Sequence, residues 1–460
     1  MNVLVFEELL IYKKTLFKTL LCLILVVFFL FTFMSYVFAK PLKYEGHGGP
    51  VMGLATSVEK NLLASTSFDY SVLLWEFDEI KEVQQLIGHD AAVNVAKFSG
   101  SGKLLATGGD DAQIFIWNTE ELKNIKESPT ILSSHTAKVV DIDFSKDERK
   151  LASAGWDHSI KIWDTVTGKL INSIVGHDGP VNAVNFSNDG KHLYSAGYDG
   201  TIRLWNIIEG FEIRTLIDNG WGVNVLEIDE KKGLILYGTI DGLMKVQKID
   251  NGEDKELFKL WEEGSPVSAL NFYPKYNMAV FGNMRGRVLL LNLKTMEVEK
   301  DFLAVDGPVW DVVYNHRNET VVVGGLDDTL TEWKLNSFHS NYFLPKINDR
   351  RFHQKDALSN GALQFARKCS ICHTLDSKDI GRRAGPPLHG VFGRTAGSLK
   401  GYSYSKALID SDIVWNEDTI SRLFKEGPEI VTPGTKMPIQ KIKKDSDRLD
   451  LIYFLKDATQ

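Results

Sequence analysis

The sequence predicts a multidomain protein: a large all-β body built from repeats, then a small all-α domain, behind an apolar amino-terminal segment. Three observations carry this expectation. A repeat marked by an Asp and, six residues on, a Trp occurs seven times between residues 41 and 336, with both residues present in five copies. Beyond the repeats stands Cys369-Ser370-Ile371-Cys372-His373, and before them residues 19–39 run without a charge.

At 460 residues the chain is too long for one ordinary domain. Hydrophobic residues make up 43% and charged residues 25%, which excludes a disordered or fibrous protein. The formal charge of −7 hides an uneven split. Residues 341–460 hold 20 Lys/Arg against 14 Asp/Glu, net +6, and residues 1–40 are net +2, which leaves 41–340 at −15. So acidic a body repels phosphate and argues against nucleic acid as a partner. Three cysteines cannot build a disulfide framework; one of them, Cys22, lies in the apolar run.

The amino terminus sets the expected compartment. Thr19–Ala39 is 21 uncharged residues preceded by Lys13, Lys14 and Lys18. Positive charge ahead of an apolar segment holds the N-terminus in the cytoplasm and sends the rest of the chain across the membrane. Residues 1–39 therefore read as a signal peptide, with Val37-Phe38-Ala39 as a cleavage site, or as a membrane anchor long enough to span a ~30 Å core. Either reading exports the body to the periplasmic side, anchored or soluble.

In the repeat region, Gly176-His177 followed by Ser195-Ala196-Gly197-Tyr198-Asp199-Gly200-Thr201-Ile202-Arg203-Leu204-Trp205-Asn206 is the cleanest copy. The aspartate slot holds Asp69, Asp111, Asp157, Asp199, Asp241, Arg285 and Asp327, and the tryptophan slot holds Trp75, Trp117, Trp163, Trp205, Gln247, Leu291 and Trp333. His47, His89, His135 and His177 fill a histidine slot that passes to Asn219, Glu263 and Val305. Residues 41–336 resemble the WD-repeat β-propeller family, which implies a seven-bladed disc with a His, Asp, Ser/Thr and Trp hydrogen-bonded group inside each complete blade. The last three blades lack that group and are expected to be looser. Pro41–Glu45 is too short to start a blade and is expected to pair beside Thr329–Leu335, closing the ring and removing sheet edges. His158, His192 and His316 are not spaced to hold a metal. By analogy of fold, such a propeller is a platform for protein partners.

Residues 337–355 break the repeat and read as a linker. Cys369-x-x-Cys372-His373 is the attachment signature of a c-type haem, since two thiols at that spacing can add to two vinyl groups and leave the imidazole under the iron. A zinc site would want a second Cys/His pair, and a thioredoxin-like pair a βαβ setting. Downstream, Pro433-Gly434-Thr435-Lys436-Met437-Pro438 presents a methionine in a proline-bounded loop.

With Gly385-Pro386-Pro387-Leu388-His389-Gly390-Val391-Phe392-Gly393-Arg394, Gly401-Tyr402-Ser403-Tyr404 and Ile413-Val414-Trp415 in the same order, residues 356–460 resemble class I cytochrome c of the mitochondrial type. The resemblance implies one haem c, attached covalently at Cys369 and Cys372, with His373 and Met437 as iron ligands. It implies Pro386 supporting His373 through its carbonyl, Thr435 within the methionine loop, and Arg394, Tyr404 and Trp415 near the propionates. Gly361 and Phe365 would pack against Leu451 and Phe454. Two departures matter. Phe424 stands where the family often has a tyrosine reaching the ligand sulfur, which predicts a slightly weaker methionine–iron bond. Glu429 and Ile430 replace a lysine pair, leaving Lys368 and Lys436 to steer acidic partners.

The sequence thus predicts an exported one-electron carrier rather than an enzyme, with redox proteins as donor and acceptor and a possible protein partner on the propeller. A peroxidase-like haem enzyme subunit and a redox-sensing assembly scaffold are the alternatives. The charge contrast adds a further expectation: the basic cytochrome rests on the acidic propeller until salt screens the attraction.

Overall fold

The computed structural model describes residues 41–120, 129–250, 253–262, 264–337, 359–370, 373–375, 385–400, 402, 404, 406–432, 435, 437, 441, 442 and 444–459. The apolar segment, most of the expected linker, Cys372 and Lys436 lie outside them.

Among the described residues there are seven four-stranded antiparallel sheets. The first blade shows how sequence becomes blade. Its second strand, Leu62–Ser67, is buried along its whole length, because the neighbouring blades cover both faces. Its fourth strand, Lys81–Ile87, is mostly exposed and carries the charge. The seventh sheet takes three strands from Val309–Asn315, Thr320–Gly325 and Thr329–Lys334 and its fourth from Leu42–Glu45, with Leu42 opposite Glu332 and Glu45 opposite Thr329. Tyr44 donates to Glu332 at 2.6 Å, and Lys43 pairs with Asp327 at 3.2 Å. The start of the repeat region and its last repeat thus share one sheet, so the ring has no open blade at the seam.

Adjacent blades are joined by a device the repeat pattern does not reveal. The second residue of the inner strand sends its side chain to the valine carbonyl opening the next blade's inner strand. Asn94 donates to Val139 O at 3.1 Å, Asn182 to Val223 O at 3.0 Å, Asn224 to Val267 O at 3.0 Å and Ser268 to Val309 O at 2.5 Å.

Inside blades one to four the expected polar group is complete. In the fourth, His177 Nδ1 faces Asp199 Oδ2 at 2.9 Å, its Nε2 meets Ser195 Oγ at 2.6 Å, and Trp205 Nε1–H donates to Ser195 Oγ at 2.7 Å. The same contacts join His47, Asp69, Ser65 and Trp75, then His89, Asp111, Thr107 and Trp117, then His135, Asp157, Ser153 and Trp163. The chain of donors assigns the proton: Nδ1–H points to the aspartate, and Nε2 accepts from the hydroxyl. Burial lowers the His135 and His177 pKa below the ordinary value and keeps them neutral. Burial alone would raise Asp199, but the Thr201 amide and His177 hold it at about 2.

Blades six and seven replace this group instead of leaving it empty. In blade six, Asn283 Nδ2 and Arg287 both donate to Glu262, at 2.8 and 3.0 Å, and Arg287 also pairs with Asp301. In blade seven, Trp333 Nε1–H donates to Ala304 O at 3.0 Å. Glu263, the residue expected in the slot, lies outside the described residues; its neighbour Glu262 does the bonding.

At the axis, Lys97, Asp141, Asp143, Glu227 and Asp311 converge from the inner strands of blades two, three, five and seven. Lys97 Nζ lies 3.7 Å from Asp143 Oδ1. One ammonium does not neutralise four carboxyls. Burial, with Asp143 and Asp141 adding repulsion against the pull of Lys97, drives Glu227 up to about 7; burial likewise drives Asp141 and Asp311 to about 7.

The C-terminal domain is helical. Its three main helices are Asn360–Lys368, Glu417–Glu426 and Asp445–Ala458. Ser359 caps the first through its hydroxyl, and Asn416 and Thr419 form a reciprocal cap on the second. First and last helices meet at Gly361, where an added Cβ would lie 2.1 Å from Asp450 O, and at Phe365 and Phe454, whose ring centroids are 5.5 Å apart. Arg448, Leu451, Ile452 and Leu455 of the last helix are buried. Arg448 is held by the Ile442 carbonyl at 2.6 Å and by Asp445.

The axial charges give a pH-dependent expectation. Glu227 has a folded pKa above its unfolded value, so its contribution to stability falls as pH rises from about 4.5 to about 7. Glu227→Gln removes that penalty. Denaturation midpoints should show the variant more stable than wild type at pH 8 by about 1–2 kcal/mol, with most of the gain gone by pH 5. A gain that is constant across that range would contradict this assignment.

Candidate functional site

A cavity, partly open to solvent, lies in the helical domain. Cys369, His373, Pro386, Arg394, Tyr404, Trp415, Thr435 and Met437 all line it, so every described residue singled out by sequence meets in one place. Cys372 lies outside the described residues.

The first helix brings Cys369 to the wall as its C-terminal cap, buried to 3% exposure, and the His373 amide donates to Cys369 O at 2.8 Å. That tight turn sets the imidazole over the cavity. His373 Nδ1–H donates to the Pro386 carbonyl at 2.8 Å. With the proton fixed there, Nε2 carries the lone pair, which is the form that binds a metal. Gly385 makes room for the ring: a Cβ there would fall 2.3 Å from His373 Cε1 and 2.6 Å from Nδ1. In the sequence Gly385 stands out only as part of a motif; its closeness to the histidine is visible only in three dimensions.

Met437 is reached through a short turn. Thr435 N donates to Thr432 O at 3.1 Å, and the Met437 amide donates to Thr435 Oγ1 at 3.2 Å. Thr432 is itself buried, its hydroxyl donating to Pro428 O at 3.0 Å. Met437 packs against a core that includes Phe424, Val431 and Ile442. Phe424, buried to 4% exposure, also faces the cavity and brings no hydroxyl to the sulfur.

Opposing strands of loop hold the polar side. Trp415 N donates to Arg394 O at 2.9 Å, and Gly393 N to Trp415 O at 2.8 Å. Arg394 spends its guanidinium on the backbone, donating to His389 O at 3.0 Å and Pro387 O at 2.9 Å. It thereby pins the loop that carries Pro386. Burial lowers the Arg394 pKa and raises that of Tyr404, each partly offset by the other. Tyr402 stands edge-on to Tyr404 at 4.7 Å between centroids. Among the residues beside the expected exposed edge, Ile430 is 60% exposed.

The donor set fits a haem: an imidazole with its proton committed elsewhere, a thioether, a buried thiol at the attachment position, and apolar walls from Leu388, Leu408 and Leu455. His373 and Met437 would hold the iron, and Cys369 with Cys372 would carry the ring.

Comparison with known proteins agrees with this geometry. The family model "WD domain, G-beta repeat" matches residues 39–76, 80–118, 126–164 and 168–206, the four repeats whose blades hold the complete histidine group. The model "Cytochrome c" matches residues 358–459. Curated relatives named cytochrome c include one from Gibberella zeae, 46% identical over 103 residues, which are 22% of this chain and 95% of the relative. Others are from Stellaria longipes, 46% over 109 residues (24% and 98%), and Arabidopsis thaliana, 45% over 107 residues (23% and 93%). A cytochrome c domain implies covalently bound haem c. In the haem-loaded full chain, Gly385→Ala should push His373 off the Pro386 carbonyl and reduce the six-coordinate low-spin fraction by about tenfold or more, read by absorption at equal haem content. An unaltered spectrum would contradict the role given to Gly385. The chain belongs to the cytochrome c family, its cytochrome c domain following a seven-bladed WD-repeat propeller.

Proposed function

We propose that the protein is a one-electron carrier in which a single haem c is ligated by His373 and Met437, and the propeller holds that carrier beside its redox partners. The observation that carries the reading is the shared cavity of His373, with Nδ1 committed to Pro386, and Met437, set by the Thr435 turn. When bound, haem would supply one-electron chemistry, and His373 and Met437 would hold its iron with protein donors instead of leaving a place for substrate. The chain's own work is to hold those ligands in register. Pro386 fixes the imidazole tautomer, Thr435 fixes the methionine amide, and Arg394 fixes the loop that carries Pro386.

The propeller's part rests on its surface. Trp156, Tyr198, Trp221 and Trp261 are each about half exposed, and all stand on the rim formed by the turns between second and third strands and the links between blades. Exposed aromatics on a rigid ring favour protein contact. Tethering a carrier to such a ring raises its effective concentration at the partner without any new contact. In this reading residues 1–39 export the chain, as signal or anchor, and the haem works on the periplasmic side, where donor and acceptor are membrane-associated redox proteins.

Potentiometric titration of the haem-loaded full chain should give one reversible one-electron wave and a low-spin spectrum, with negligible peroxide turnover. Catalytic peroxide turnover or a high-spin resting iron would defeat the carrier reading. Phe424→Tyr should strengthen the sulfur-to-iron absorption band, because a hydroxyl then reaches the ligand sulfur; an unchanged band would contradict the weakened bond assigned to Phe424.

A further inference from the structure

The cavity of the cytochrome domain has one wall from outside that domain. Tyr70, in the turn between the propeller strands Leu62–Ser67 and Ser71–Glu76, lines it together with the haem-site residues. Tyr70 follows the network aspartate Asp69. Blades four, five and six put Gly200, Gly242 and Gly286 at this position, with φ of 84°, 103° and 88°, and blades two and three put Ala112 and His158 there. In these six blades the residue sits in the left-handed region, where glycine meets no Cβ penalty. Blade one holds a tyrosine at φ 71° instead. A bulky side chain in that region is strained, and such strain persists where the surroundings over-determine it, most often at functional sites.

Burial supplies a second observation. Tyr70 is 9% exposed, on a rim where Trp156, Tyr198, Trp221 and Trp261 are about half exposed. Charge supplies a third, since the repeats are net −15 and residues 341–460 net +6. A side chain from another domain can reach the cavity only where the cytochrome fold leaves it open. The wall at Tyr70 is thus the opening through which electrons and water would approach.

We propose that Tyr70 is a positioning residue of the haem site: the propeller closes the open edge of the haem crevice with this ring. The inference rests on the haem reading above. Its consequence is that the propeller excludes water from that edge, which favours the reduced, less charged iron and raises the potential. Small reductants are slowed, and a redox partner must displace the rim or pass electrons beside it. Salt should loosen the closure, because the attraction between the two domains is screened.

The test uses the haem-loaded full chain and two variants, Tyr70→Gly and Tyr70→Phe. Glycine is native to this turn in three other blades, so Tyr70→Gly should leave the propeller's denaturation midpoint unchanged or raised. At low salt its potential should fall, its Soret circular dichroism should change, and its reduction by ascorbate should accelerate about twofold or more. Tyr70→Phe should retain the wild-type values, and wild type in 1 M salt should approach Tyr70→Gly. A Tyr70→Gly protein with wild-type potential, dichroism and ascorbate rate at low salt would overturn the proposal. Absence of covalent haem from all three proteins would overturn the haem reading itself, which keeps the two failures distinct.

Discussion

One hydrogen bond organises the redox half of this molecule. The donation from His373 Nδ1 to the Pro386 carbonyl decides which imidazole nitrogen keeps a lone pair, and so whether the cavity can bind iron at all. Much nearby structure serves that contact. Gly385 clears the space for the ring, and Arg394 ties down the loop carrying Pro386 through two backbone carbonyls. The backbone pairing of Arg394 with Trp415 anchors that loop to the segment leading into the Glu417–Glu426 helix. The first and last helices, in contact at Gly361, hold the attachment turn at Cys369 against the rest of the domain.

The propeller solves a different problem, how to make a rigid ring from unequal repeats. Four blades satisfy their buried polar groups with one another, His to Asp on one side and Ser or Thr to Trp on the other. Blades six and seven meet the same demand by other means, an ion-pair cluster at Glu262, Arg287 and Asp301 and a backbone carbonyl for Trp333. What is kept from blade to blade is satisfaction of buried donors, not residue identity. The Asn and Ser side chains that cross to the next blade act between repeats and bind the ring together.

Much of this was legible in the sequence, for identifiable reasons. The repeat shows through because every blade must reach the same axis by the same strand lengths, which fixes the spacing of Asp and Trp. The haem site shows through because its chemistry needs neighbours in sequence, two thiols and an imidazole within five residues. What was hidden depends on contacts between distant positions. Asn94 and Val139 are 45 residues apart, and nothing local distinguishes Asn94 from a surface polar residue. The Glu262 contact with Asn283 was hidden too, because Glu262 lies outside the histidine slot and 21 residues from its partner. Tyr70 is an ordinary turn residue by sequence, and it is its burial and its place on the cavity wall that separate it from Ala112 and His158, which share its backbone angle. The expectation that the last three blades are looser gains a physical counterweight from the Glu262 cluster and the apolar core around Val280, Leu290 and Trp333.

The two halves differ in charge, and that difference gives the fusion a physical logic. The repeats are net −15 and residues 341–460 net +6, so in the reading proposed above the two parts attract each other at low ionic strength and salt weakens that attraction. The claim beneath all of this is that the chain carries one covalently fixed haem. It is tested most directly by the mass of the denatured full-length protein, produced where haem attachment is possible and washed with acidified acetone. The expected mass is polypeptide plus one haem, with both Cys369 and Cys372 consumed; haem released into the organic phase, or a mass equal to polypeptide alone, would contradict covalent attachment.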